Sequence, residues 1–125
     1  MDTAWAHASE IAAAVCDGRT SAAAVVRAAL ARIANHDRVL NAFTAVTAER
    51  ALAKAAAIDA ERARGRRLGA LAGVPFAVKN LFDIAGLPTL AGSKINRDRA
   101  GYARCHRHRT LRSPWRRARG RAQYG

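Results

Sequence analysis

Large apolar side chains, acids and cysteines are all in short supply in this 125-residue sequence, and each shortage excludes something. Half of the residues are apolar but only 6% are aromatic, and alanine makes up much of the remainder. An alanine buries too little area to anchor a core, so the chain supplies at most one ordinary small domain of modest stability. Cys16 and Cys105 are the two cysteines, enough for one bridge in principle. The Met1-Asp2-Thr3 start lacks the basic and apolar regions of a secretory signal, so both are read as reduced thiols with no assigned role. No window of about 18 apolar residues is present, which excludes a membrane-spanning helix. The expectation is a soluble cytoplasmic product with no membrane partner.

What the chain has in excess is positive charge, with 22 Lys and Arg against 9 Asp and Glu and a formal net charge of +13. The excess is uneven. Residues 1–100 hold 14 of the basic residues and all 9 acids, a balance of +5, whereas residues 101–125 hold 8 arginines and no acid, a balance of +8. A charge gathered in a tail says little about the first hundred residues. The sequence is therefore divided into a portion at 1–100 and an arginine-rich tail at 101–125. No internal repeat is visible.

Along the first portion, Ile11 and Val15 lie four apart and Gly18 follows, which predicts a short helix over Ser9–Val15 with a glycine stop. Thr20 or Ser21 caps a second helix, in which Val25, Val26, Ala29, Leu30 and Ile33 share one face away from Arg27 and Arg32. Asn35-His36-Asp37 is expected to break that helix, and Leu40–Val46 reads as a strand. Thr47 offers the next cap, for an alanine-rich helix over Ala48–Arg64 with Glu49 near its positive end and Gly65 as its stop. Arg66 to Gly69 is a loop, and Val74-Pro75-Phe76-Ala77-Val78 reads as a buried strand with proline at its start. Gly86, Pro88 and Gly92 mark an irregular loop beyond it. Helices interleaved with two strands make an α/β arrangement, and two strands do not complete a sheet.

Lys79 sits where the second strand ends, among small residues. Loss of water around an ammonium group favours the neutral, base-competent form, although most lysines at strand exits are simply solvated charges. The surrounding motif separates the two readings. Gly73-Val-Pro-Phe-Ala-Val-Lys-Asn-Leu-Phe-Asp-Ile-Ala-Gly-Leu-Pro-Thr-Leu-Ala-Gly-Ser93, with the helix pair and Leu40-Asn-Ala-Phe-Thr-Ala-Val46 before it, resembles the N-terminal part of the amidase signature family of serine hydrolases over roughly residues 8–100. Within the family the Lys79-to-Ile95 stretch looks most similar to the carboxybiuret hydrolase branch associated with s-triazine breakdown, with the A-subunit of aminoacyl-tRNA amidotransferases as the next comparison. Asn80 departs from the aspartate usual after this lysine.

The resemblance implies an incomplete N-terminal fragment of the amidase-signature fold, a mixed sheet flanked by helices. It also implies hydrolysis of a carbon–nitrogen bond in a small-molecule amide by a Ser-Ser-Lys mechanism, with no cofactor and no metal. Lys79 is the residue that carries over as catalytic, the base that draws a proton through a relay serine so that a second serine attacks the carbonyl. The glycine- and serine-rich segment that holds both serines in the family has no counterpart here, so the chain alone is expected to be inactive. Ser93 matches a family serine that is not the nucleophile, and Thr89 with Gly92 shapes the loop.

The competing reading is a small basic module that binds nucleic acid through the tail, whose arginines accompany Tyr102, Trp115 and Tyr124. A third is an intact non-catalytic chain that joins an amidase partner. Cys105-His106 and His108 offer three metal-ligating side chains in near-adjacent positions, where a structural zinc site wants four from paired clusters. His7 and His36 read as surface or capping residues.

The tail also admits a genetic explanation. Read one base along, the codons from Arg104 permit Asp-Ala-Thr-Val-Ile-Ala-Arg, and Trp115 before a CGN-coded Arg116 requires glycine, after which Gly-Ala-Val-Leu-Val-Gly is permitted. That is how a family member would continue. Resequencing the locus from codon 95 onward is expected to reveal a one-base shift near codon 101 that opens a long frame containing the glycine- and serine-rich segment. A verified stop with no such frame behind it removes this explanation.

Overall fold

The computed structural model of the protein describes residues 2–96 and divides the chain into two compact units, one of Met1–Phe76 and one beginning at Ala77. The boundary drawn at residue 100, the arginine tail and the Cys105-His106-His108 group lie outside the described residues. The first unit holds three helices: α1 over Ala8–Cys16, α2 over Ala22–Leu40 and α3 over Ala48–Ala63.

Local chemistry sets most of the helix ends. The His7 N–H donates to Glu10 Oε2 at 2.7 Å, so the acid three residues into α1 satisfies the amide that precedes it. Gly18 ends α1 in the left-handed region at φ 76°, with the Thr20 N–H reaching back to the Ala14 carbonyl at 3.2 Å. Ser21 caps α2, its side chain accepting from the Ala24 N–H at 3.0 Å. Gly65, at φ 67°, follows α3.

The core is made of small side chains. Ile11, Val15, Ala22, Val25, Val26 and Ala55 form its buried centre, and Leu30, Leu52, Ile58, Leu68 and Val74 pack partly buried around it. Val15 and Val25 are the largest side chains to be fully enclosed, each worth about 1.5–2 kcal/mol of burial. The apolar face expected on α2 is present: Val25 and Val26 are buried, Ala29, Leu30 and Ile33 are half-buried, and Arg27 is exposed.

With so little apolar area, polar bonds between helices carry unusual weight. Asp59 of α3 accepts from the Ala22 N–H at 2.8 Å and the Ala23 N–H at 3.1 Å, capping α2 from across the fold. One turn along α3, Arg62 Nη1 donates to the carbonyls of Val15 at 3.2 Å and Thr20 at 3.3 Å, on the opposite side of the α1–α2 junction. Each charge lies where the helix dipoles favour it, the anion at an N-terminus and the cation at a C-terminus.

Three expectations are corrected. Asn35-His36-Asp37 does not break α2, which runs on to Leu40. Their intrinsic helix penalties are each below about 0.7 kcal/mol relative to alanine, and Asp37 gives something back: its Oδ1 accepts from the N–H groups of Ala42 at 2.7 Å and Phe43 at 3.2 Å just past the helix end. Leu40–Val46 is not a strand. Leu40 closes α2, Asn41 turns left-handed at φ 48°, and residues 41–46 are exposed and form no strand. Val74–Val78 likewise forms no strand and is not buried as a run, with Pro75, Phe76 and Ala77 exposed. The mixed sheet expected from the sequence is therefore not formed among the described residues, which are helical with no strand. A strand is defined by hydrogen bonds to a neighbouring strand, and β-favouring side chains in a row do not supply one.

Gly73 shows how tightly the segment before Lys79 is held on this unit. It is buried at φ 77°, and a Cβ placed there would lie 2.8 Å from Val15 Cγ2 and 3.1 Å from Ala22 Cβ.

Two substitutions test this packing by urea denaturation of the chain. Asp59→Ala leaves two helix amides without their acceptor and is expected to cost about 2 kcal/mol, with Asp59→Asn losing less. Gly73→Ala adds both left-handed strain and a collision with Val15, and is expected to cost about 2–3 kcal/mol. Unchanged midpoints for both would show that the α1–α2 junction is not held in this way.

Candidate active site

Gly73, which opens the lysine-bearing motif, belongs to the helical unit. It is approached through a tight turn in which the Ala72 N–H donates to the Gly69 carbonyl at 2.9 Å and the Val74 N–H to the Leu71 carbonyl at 3.3 Å. Residues 74–79 then carry no regular structure, and the helical unit ends within them, at Phe76. Lys79 ends this run, as the sequence implied, and its side chain is exposed. Pro75, Phe76 and Ala77, in the run before it, are exposed as well.

Immediately after Lys79 the backbone enters a loop closed by its own hydrogen bonds. The Lys79 carbonyl accepts from the Phe82 N–H at 3.2 Å. Asn80 grips the far end of the loop twice, its side-chain Oδ1 accepting from the Leu90 N–H at 3.1 Å and its main-chain carbonyl from the Ala91 N–H at 3.0 Å. Across the middle, Thr89 Oγ1 donates to Asp83 Oδ1 at 2.8 Å, and the Leu87 N–H donates to the Ile84 carbonyl at 3.0 Å around Gly86 at φ 80°. Ala91 at φ 49° and Gly92 at φ 73° reverse the chain out of the loop.

Of the residues singled out in the sequence, the structure therefore gathers Lys79, Asn80, Thr89 and Gly92 into one short loop. Ser93 follows directly, its N–H on the Leu90 carbonyl at 2.8 Å and its Oγ accepting from the Ile95 N–H at 3.2 Å, so its hydroxyl is engaged in shaping the turn at Lys94–Asn96. Asp83 was not anticipated, nor was the double role of Asn80. The signal for Asp83 was an acid six residues before a threonine with a glycine between them, a spacing no helix or strand period picks out.

The other candidates lie elsewhere. Cys16 is a free, exposed thiol at the end of α1, His7 precedes the first turn of α1, and His36 is exposed on α2. No group of three His, Cys, Asp or Glu side chains capable of holding a metal ion occurs among the described residues. No helix among them is long and apolar enough to cross a membrane.

Comparison with known proteins bears on the same stretch. The family model described as Amidase matches residues 24–113. AtzE, the 1-carboxybiuret hydrolase subunit of Pseudomonas sp. (strain ADP), is 60% identical over 88 residues, which are 70% of this chain and 19% of that protein. The A-subunit of the glutamyl-tRNA(Gln) amidotransferase of Streptomyces coelicolor is 50% identical over 88 residues, covering 70% of this chain and 18% of that one. A solved, inhibitor-bound structure, described as a vestigial protein complex that reveals the evolutionary origins of an s-triazine catabolic enzyme, superposes with a TM-score of 0.74 at 56% identity over 76% of this chain and 21% of its own. The chain thus spans about a fifth of the length of the curated relatives it matches. With a family model covering most of its length and the lysine-bearing motif inside the match, the chain belongs to the amidase family.

Proposed function

We propose that these residues form the base-bearing N-terminal part of an amide hydrolase, in which Lys79 takes the proton that activates a serine nucleophile. The observation that carries this reading is the position of Lys79 inside the family match, at the mouth of a loop tied by Asn80, Asp83 and Thr89. A base must be placed to within a fraction of an ångström of the proton it removes, so a hydrogen-bonded loop beside a lysine is a fitting support.

In this reading the nucleophile and the relay serine come from outside these 125 residues. Of the three serines within the described part, Ser21 caps α2, Ser93 turns the chain toward Lys94, and Ser9 lies exposed in the first turn of α1, outside the loop that follows Lys79. The exposure of Lys79 follows as well, because the walls that would exclude water from it belong to the same missing contribution. The runs at 41–46 and 74–78 are the segments we assign to the mixed sheet of the complete fold. Nucleophile, relay and base act as one unit, so the chain by itself is expected to turn over no amide. The substrate class is a small-molecule amide; 1-carboxybiuret, named in the relative at 60% identity, is the first compound to try.

A hybrid protein tests this, with residues 1–96 of this chain replacing the matching fifth of the 1-carboxybiuret hydrolase relative. Ammonia release is expected from the hybrid and not from the chain alone. Lys79→Ala in the hybrid is expected to lower kcat by about 10^3-fold or more with little change in melting temperature. A hybrid that stays active after Lys79→Ala would remove the lysine from the mechanism.

A further inference from the structure

The loop after Lys79 has two anchors of different kinds, and they divide the work. The Asp83–Thr89 bond lies within the loop and touches neither peptide adjoining Lys79. Asn80 holds the loop at its neck, where the chain leaves Lys79 and where it returns at Leu90 and Ala91.

The direction in which a side chain leaves the backbone is fixed by the peptide planes on either side of its Cα. For Lys79 the following plane is held by the bond from the Phe82 N–H to the Lys79 carbonyl, and the next plane by the bond from the Ala91 N–H to the Asn80 carbonyl. The Asn80 side chain adds the third tie, to the Leu90 N–H. Because the Lys79 side chain is exposed, its aim is set by this backbone and not by packing around the ammonium. Asn80 itself is half-buried, which shields its bonds from competing water.

We infer that Asn80 is the positioning residue for Lys79: its side chain clasps the Leu90 N–H and so closes the neck of the loop directly beside the Lys79–Asn80 peptide that aims the lysine side chain. The inference rests on the reading of Lys79 as the base, but its test does not involve turnover, so the two fail separately. An aspartate at position 80 keeps an acceptor oxygen and serves the same purpose; an alanine does not.

The sequence makes the measurement simple, since Lys54, Lys79 and Lys94 are its only lysines. The full chain is reductively methylated with 13C, its lysine methyl resonances are recorded, and amide hydrogen exchange is followed at Leu90 and Ala91. Asn80→Ala, which keeps the main-chain carbonyl that Ala91 is bonded to, is expected to speed exchange at Leu90 by on the order of tenfold, the factor that losing one such hydrogen bond is worth, with a smaller effect at Ala91. It is also expected to shift the Lys79 resonance while leaving that of Lys54, on α3, in place. Asn80→Asp is expected to restore both. Thr89→Val, which loosens the loop away from its neck, is expected to leave the Lys79 resonance unmoved, and helical amides in Met1–Phe76 report whether each variant keeps its fold. Exchange at Leu90 within about twofold of the parent in Asn80→Ala overturns the inference. So does a Lys79 resonance that does not move in Asn80→Ala, or one that moves equally in Thr89→Val.

Discussion

Asp59 and Arg62 stand one helical turn apart on α3, and between them they satisfy backbone groups on both sides of the α1–α2 junction. Everything else in the helical unit is referred to that pair. It brings the end of α1 and the start of α2 to one side of α3, which sets Val15 and Ala22 side by side. Those two side chains leave a space with room for a hydrogen and no methyl group, and Gly73 occupies it. The first residue of the lysine motif is thus seated by two charged side chains it does not touch. A core whose fully enclosed members are no larger than valine cannot fix three helices by shape alone, because small side chains interlock poorly. Directional bonds to helix ends make up the deficit.

The second unit follows the opposite rule. From Lys79 to Ser93 it has neither a helix nor a strand, and order comes from bonds between residues a few positions apart. Such bonds survive without a surrounding core, provided that glycines and a left-handed Ala91 supply the reversals the chain needs. The two units therefore carry their information differently, one through contacts distant in sequence and one through contacts near at hand.

That difference decided what the sequence reveals. The end of α1 and the start of α2 were legible because Gly18 and Ser21 act within their own turn, and the family was legible because its motif is a local string. The continuation of α2 through Asn35-His36-Asp37 was not: each residue is a poor helix former, and the compensating bonds of Asp37 reach residues that only a structure places nearby. Leu40–Val46 and Val74–Val78 carry the side chains of strands, but their partners are not written in the segments themselves. Asp59 as the cap of α2 was invisible for a related reason, since its bonds span 36 and 37 residues. Thr89 was legible as a loop residue, and Asn80 as a departure from family usage, without the sequence saying what either one grips.

The clasp formed by Asn80 also has a meaning for how this stretch changes over generations. Surface loops ordinarily absorb inserted or deleted residues at small cost, because closing a slightly longer loop loses little entropy. Here both ends are bonded to each other and a cross-tie joins Asp83 to Thr89 inside, so one residue more or fewer would put donors and acceptors out of register at three places. A change in the loop's length is therefore expected to cost more than exchange of outward side chains such as Leu81, 59% exposed.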